Sequence, residues 1–422
     1  MSGAGRLSSV DLFAGAGGLT LGLQRAGFDT LVANDNWRPA LDTLRRNFGE
    51  TMVEAGCVRE LTGASLLERV GASTPSLVAG GPPCQGFTSA GARRCDDLRN
   101  TLVGQFARLV VEVQPRWFMF ENVEGMLTAS GGDFVIDLLD GVLDGGYSVR
   151  LRKVNVANFG VPQLRKRVIA IGTRGSDPGF PPPSHRAYGA PGAQTSNTAE
   201  LPPAPTVIEA LEGIGEPAGS EDQATVQGHF LAYVSEFDTR RFNLLGPGQT
   251  MRDLPEELRH HSYTRRANRR VSDGMPSEKR GGAPAGVRRL LAEQPSKAIT
   301  SAASREFVHP VQDRCLTLRE CARLQGFPDS FEFSGSRSDQ ATLIGNAIPP
   351  PFAELLGRWI AGRELSVPSH VDESPRLHEF HVSNGNGLSP VLRRVAERVN
   401  ARYRTGTVPL GRGTLFSRRL QS

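Results

Sequence analysis

The chain has 422 residues, enough for two domains, and its 38% hydrophobic and 22% charged content fits a folded protein with a sizeable core. It holds no run of 18 apolar residues, no apolar segment near the N-terminus and no CxxC pair among five cysteines; a membrane span, a signal peptide, a zinc site and a disulfide framework are therefore not expected, and the protein reads as cytoplasmic. The net charge of +5 is concentrated: residues 259–289 carry nine Lys/Arg against two acids and residues 391–422 eight Arg against one, a distribution that suits a polyanionic partner or two solvated basic loops.

From residue 8 the chain alternates short apolar runs with helical spacing. SSVDLFAG predicts a strand ending at a glycine turn, GLTLGLQRAGF a helix, TLVAND a second strand and PALDTLRRNF a second helix. PSLVAGG is a third strand that runs into GGPPCQGFTSAG; NTLVGQFARLVVEV is a helix, RWFMFENV a strand, DFVIDLLDGVL a helix and RVIAIGTR a late strand. This βαβα rhythm predicts an α/β fold with a mostly parallel sheet, whose ligands bind at the carboxyl ends of the strands. Beyond residue 175 the Pro/Gly/Ser-rich stretch reads as a linker, 205–300 is weakly periodic, and helices return at LTLRECARLQGF and QATLIGNAIPPPFAELLGRWIAG. Residues 365–390 read as loose, and VLRRVAERVNARYR as a basic amphipathic helix with Leu392, Val395, Val399 and Tyr403 on one face.

Four segments carry chemistry. Gly15, Gly17 and Gly18 follow a strand and open a helix, and Asp35 ends the next strand, 20 residues after Gly15, where a carboxylate can accept both hydroxyls of a ribose. The pattern is not GxGxxG, so a nucleoside ligand fits better than a dinucleotide; an ordinary strand–helix turn is the plainer alternative. Cys84 sits behind two prolines that stiffen its loop, a frame that a buried inert cysteine does not need. Glu121 ends an apolar strand, where burial raises a carboxyl's pKa and lets it donate a proton, or where it simply caps a helix. Arg165 and Arg167 alternate at the start of a strand and so are expected to share a face, as an anion clamp or as an exposed edge.

Taken together, DLFAGAGGL, GGPPCQGFT, ENVEGML, GVPQLRKR, RECARLQGFPDSF and LIGNAIPPPFA occur in the order in which the C5-cytosine DNA methyltransferases carry their motifs, and over residues 8–363 the chain resembles that family. The resemblance implies a Rossmann-like methyltransferase domain that binds S-adenosylmethionine, made of residues 1–175 and 335–364, with a smaller target-recognition domain at 176–334 inserted in it and a basic C-terminal extension at 365–422. It makes Cys84 the nucleophile that adds to C6 of a flipped-out cytosine, Glu121 the group at N3, Arg165 the residue that steadies base and Glu121, and Arg167 a second clamp. Phe13, Ala16, Gly18, Asp35, Asn36, Cys57, Val58, Pro83, Leu102, Asn346 and Ile348 match its cofactor-lining positions. Asp35 stands where the family usually has Glu, and Cys57 where it usually has an Asp that accepts from the adenine amino group; a thiol accepts weakly. Inside the inserted domain, Arg265, Arg266, Asn268, Arg269 and Arg270 are the expected contacts to double-stranded DNA. The expected protein is a monomeric, sequence-specific enzyme of a restriction-modification system, with a cognate endonuclease as a functional partner and no metal. An RNA cytosine methyltransferase and a catalytically silent DNA-binding relative are the alternatives; the long basic insert favours DNA, and intact Cys84, Glu121, Arg165 and Arg167 favour catalysis.

Overall fold

A computed structural model describes residues 7–71, 73–83, 102–186, 200–260, 286–366, 375–382 and 388–403. Eight strands form the main sheet: β1 (Ser8–Leu12), β2 (Asp29–Asp35), β3 (Val53–Ala55), β4 (Leu77–Gly80), β5 (Trp117–Val123), β6 (Ser148–Asn155), β8 (Lys166–Thr173) and β12 (Leu377–His381). Short strands β7 (Gln163–Leu164), β9 (Arg288–Arg289), β10 (Ser296–Lys297) and β11 (Phe307–Val308) form two small sheets, β10 on β7 and β11 on β9. The main order is β12-β6-β8-β5-β4-β1-β2-β3, parallel except for β8, which runs antiparallel to both β5 and β6. β1 and β4 lie where the strand order reverses, so the loops that leave them open into the crevice typical of ligand sites in such sheets.

The strands at the centre are near-continuous apolar runs because helices cover both faces. α3 (Gly63–Arg69), α4 (Leu102–Val113) and α5 (Asp133–Asp144) cover one face, where Phe106, Leu109, Val110, Leu138, Leu139 and Val142 bury against Val10, Val78, Phe118 and Phe120. α1 (Gly18–Arg25) covers the other, together with α11 (Pro350–Ser366), which arrives from the far end of the sequence. Their approach is close: a Cβ on Gly22 would stand 2.4 Å from Ala353 Cβ and 2.6 Å from the Pro350 carbonyl. α2 (Arg38–Phe48), with Pro39 in its first turn, starts at the end of β2.

The segment that follows β8 contains, among the described residues, α6 (Val207–Leu211), α7 (Glu236–Leu244), the single turn α8 (Ala303–Glu306), α9 (Leu318–Leu324) and α10 (Arg337–Asn346). Its largest apolar cluster joins Phe327, Phe331 and Phe333 to Leu343 and Ile344 and reaches Ala16 and Ala40, so it packs directly on the first glycine loop and on α2. A separate cluster, Phe242, Leu245, Met251, Leu254, Leu258 and Val287, lies around α7.

The reading of 365–390 as loose is corrected at Leu377–His381, which form β12. β12 pairs in parallel with β6, and Glu379 accepts hydrogen bonds from Arg150 and Arg152 of β6. α12 (Pro390–Tyr403) then buries Leu392, Val395, Ala396 and Val399 in the same core as α4 and α5. Its Arg398 and Arg402 pair with Asp133 and Asp140 of α5, so part of the basic charge counted at the C-terminus is neutralised within the fold.

Candidate active site

β1 ends in a turn whose backbone is left-handed at Phe13, Gly15 and Gly17, with φ of 60°, 56° and 82°. Glycine adopts this region without the Cβ clash that penalises other residues. Asp35, at the end of β2, fastens the turn: Oδ2 accepts the Gly15 N–H at 2.9 Å and Oδ1 the Trp37 N–H at 2.8 Å. Burial pushes the Asp35 carboxyl up, and these amide donors pull it partly back. The Asn36 amide is a third donor to this carboxylate, whose remaining lone-pair capacity can take a further donor. Asn34, just before it, donates to the carbonyls of Glu54 and Gly56 and so holds the approach to half-buried Cys57 and buried Val58 beside the turn.

The turn is roofed by the segment that follows α10. A Cβ on Gly18 would come within 2.2 Å of the Ile348 carbonyl oxygen, and Ala16 is buried in the cluster that contains Ala347. Ile348 Cδ1 also lies 3.8 Å from the Cβ position of Gly81, where β4 gives way to Pro82 and Pro83. Three segments far apart in sequence therefore meet around Ile348. Phe13 and Leu102 are half-buried against the core, while Asn36, Pro83 and Asn346 are exposed.

Cys84 lies outside the described residues, but the strap leading to it is held on both sides. Asn122 is buried and donates from Nδ2 to the Pro82 carbonyl at 3.2 Å, and its Oδ1 accepts the Val123 N–H. Glu121, 9% exposed, places Oε2 3.0 Å from the Cβ position of Gly81. Its other oxygen is 2.6 Å from Nε of Arg167. The sheet register explains the pair: Arg167 stands opposite Val123, and Glu121 and Val123 point to the same face, so Arg167 and Glu121 are diagonal neighbours. The glutamate is thus not the lone buried carboxyl that the strand-end position suggested.

Arg165 departs from expectation. β8 begins at Lys166, so Arg165 precedes the strand instead of alternating along it with Arg167. It is 1% exposed and donates to three carbonyls, Ile299 at 2.6 Å, Gly345 at 2.9 Å and Ala347 at 3.1 Å. The residue that grips Glu121 is Arg167, and Arg165 ties the start of β8 to the roof segment. Gln163 extends the tie: Nε2 donates to the Leu324 carbonyl and to Gln325 Oε1, and Oε1 accepts the Ile299 N–H. Gln325 in turn donates to the Ile344 carbonyl.

Asn122, Gln163 and Gln325 carry none of the reacting groups, and only their buried hydrogen bonds reveal them. Asp11 escaped notice in the same way. It is fully buried on β1 beneath the turn, accepts the Thr20 hydroxyl at 2.6 Å, and burial pushes its carboxyl up to about 7.

Arg265, Arg266, Asn268, Arg269 and Arg270 lie outside the described residues. The ends of that basic segment point inward: Arg259 donates to the carbonyls of Leu254 and Arg252, and buried Arg289 to those of Phe242, Leu245, His309 and Gln312. Among the described residues no cluster of three metal-ligating side chains occurs, and no helix is long and apolar enough to cross a membrane.

Comparison with known proteins gives this geometry its family. The family described as C-5 cytosine-specific DNA methylase matches residues 7–361. The chain is 32% identical over 358 residues to the Type II methyltransferase M1.HphI of Haemophilus parahaemolyticus, covering 84% of this chain and 86% of that one. It is 31% identical to the Type II methyltransferase M.AgeI of Thalassovita gelatinovora, covering 84% and 98%. A solved prophage-encoded Escherichia coli chain described as a DNA modification methyltransferase superposes with a TM-score of 0.63 at 25% identity, covering 84% of this chain and 99% of that one. Family, relatives and fold agree that this chain belongs to the C5-cytosine-specific DNA methylases, enzymes that take their methyl group from S-adenosylmethionine.

Proposed function

We propose that the chain methylates C5 of cytosine within one short sequence of double-stranded DNA, as the modification enzyme of a Type II restriction-modification system. The observation that carries this reading is the convergence of the Gly81–Pro83 strap, the Glu121–Arg167 pair and the Asp35-braced turn at adjoining strand ends. The relatives' description as Type II methyltransferases supports this setting, and the reading extends to a cytoplasmic monomer that acts beside a separate endonuclease.

The turn fits a nucleoside-bearing cofactor. Asp35 is anchored yet keeps lone pairs for ribose hydroxyls, and Phe13, Ala16, Gly18, Asn36, Cys57, Val58, Pro83, Leu102, Asn346 and Ile348 complete the set that would hold S-adenosylmethionine. When bound, it supplies an electrophilic methyl group. The chain's own residues do the rest. The Cys84 thiolate adds to C6 of a cytosine turned out of the helix, which makes C5 nucleophilic. Glu121, oriented by Arg167, holds N3 and stabilises the charge that develops as the thiolate adds. Arg165, acting through the Gly345 and Ala347 carbonyls, positions the roof. Once C5 is methylated, loss of its proton expels Cys84. Arg265, Arg266, Asn268, Arg269 and Arg270 supply DNA contacts from the inserted domain at 176–334, and the large domain is completed by 335–364.

Bisulfite sequencing of DNA from cells expressing the chain, beside a Cys84→Ser control, tests this reading. Methylcytosine confined to one motif and absent from the control is expected, with DNA binding by the variant retained. Unmethylated DNA despite folded protein, or equal loss of binding and transfer in the variant, would overturn it.

A further inference from the structure

We infer that the C-terminal unit of β12 and α12 is a positioning element for Glu121, acting through the strained turn after β5. The inference rests on the role given to Glu121 above. Both elements lie beyond residue 361, where the family match ends.

The end of β5 needs support. β5 pairs with β4 only as far as Phe120, opposite Gly80, so among the described residues Glu121, Asn122 and Val123 have a strand neighbour on the β8 side alone. The backbone beyond Val123 is irregular. A 3-10 turn at Glu124–Leu127 leads into Ala129–Gly132, where Ser130, Gly131 and Gly132 are consecutively left-handed, with φ of 47°, 68° and 95°. A non-glycine residue in this region persists where its surroundings over-determine it.

Two groups of contacts do so. From the sheet, the buried Lys153 of β6 pairs with Glu124. From the C-terminus, α12 lies on the turn itself. Val395 packs so tightly on Gly132 that a Cβ there would stand 2.7 Å from Val395 Cγ1. Arg398 donates to Asp133 Oδ1 at 2.6 Å, next to the Gly131 carbonyl, and Arg402 grips Asp140 at 2.7 and 2.8 Å. The basic side of α12 thus meets the acidic side of α5, made of Asp133, Asp137 and Asp140. Met126 and Leu127, fully buried, share one core with Val395 and Val399. A shift of α12 therefore moves the turn, and the turn leads back toward the N-terminus through the Glu121–Val123 end of β5. Displacing a catalytic group by about 1 Å costs on the order of 10²-fold in rate.

The test uses the full chain with Val395→Ala and Arg398→Gln combined, which leaves β12 paired. Single-turnover methyl transfer is expected to fall about tenfold, with the Kd for DNA changed less than about twofold. Hydrogen exchange is expected to speed up in peptides covering 121–132 and not in β1 or β2. In a Glu121→Gln background the same pair of substitutions is expected to cost less than about twofold, because the group being positioned is already gone. An equal loss in both backgrounds would show a general loss of stability and overturn the inference, as would unchanged exchange in 121–132. Full activity of Glu121→Gln alone would remove the premise, and the exchange data would then show separately whether α12 holds the turn.

Discussion

Arg167→Met removes the cation from a pair whose nitrogen and oxygen are 2.6 Å apart and whose side chains are only 13% and 12% exposed. At an effective dielectric of about 20, two charges about 4 Å apart attract by roughly 4 kcal/mol. Removing one partner of a buried pair costs about 3–5 kcal/mol, because the other is left charged and desolvated. The partial exposure admits some water to Glu121, which sets the expected loss near the low end, about 3 kcal/mol in urea unfolding at neutral pH. Adding Glu121→Gln removes the stranded charge, so the double variant should recover to within about 1 kcal/mol of the parent. Single-turnover transfer should behave otherwise: both singles and the double fall by about 10²-fold or more, since the developing charge on the base loses its partner in each. A single variant within about 0.5 kcal/mol of the parent, or a double no more stable than Arg167→Met, would refute the account of this pair.

The buried carboxyl, the glycine turn and the basic segment each yield a further expected outcome. The neutral form of Asp11 is the one the fold favours; with its pKa raised from 3.8 to about 7, that stabilisation is complete below about pH 4 and is lost as pH rises through 7. Asp11→Asn should therefore raise stability by about 2–4 kcal/mol more at pH 8.5 than at pH 4.5, and a pH-independent effect in paired denaturation curves would contradict this. Gly18→Ala should lower stability by about 1–3 kcal/mol or more, because the new methyl meets the Ile348 carbonyl at 2.2 Å, whereas Gly362→Ala on α11, whose Cβ position has no atom of the described residues within 4 Å, should raise it by about 0.5–1 kcal/mol. Similar melting shifts for the two would show that the roof does not press on the glycine turn. Neutralising Arg265, Arg266, Arg269 and Arg270 together should weaken DNA binding and flatten its salt dependence by about 0.9 in log–log slope for each phosphate no longer neutralised; an unchanged slope would place recognition elsewhere.

The central strands and the crevice were legible from sequence because buried parallel strands are short apolar runs: LVA of β4 stops at Gly80, VDL of β1 leads into the Gly15 turn, and LVA of β2 and WFMF of β5 stop at polar residues. The motifs at their ends identified the family. β6 was missed because its alternation stops at Arg152: Arg150 and Arg152 turn toward Asp177 and Glu379, whereas Lys153 falls on the face of Val149 and Leu151 and is buried with Glu124 as its partner. β12 is only five residues and half polar, and what holds it are arginines some 230 positions earlier in the chain.

By itself the sequence named the groups expected at the site: Cys84 in its proline frame, Glu121 at a strand end, two arginines and an acid after the glycine turn. Only the tertiary structure decided which of them work on one another. Spacing makes Arg165 and Arg167 equivalent; the start of β8 and its register against β5 send one to Glu121 and the other to the roof. A count of charges likewise treats Arg289 and Arg398 as free cations, whereas the fold turns the first onto backbone carbonyls and the second onto Asp133. Local periodicity records what each residue prefers to bury, but the partner of a buried polar group is set by segments hundreds of residues away, and that choice exists only once the chain has closed around it.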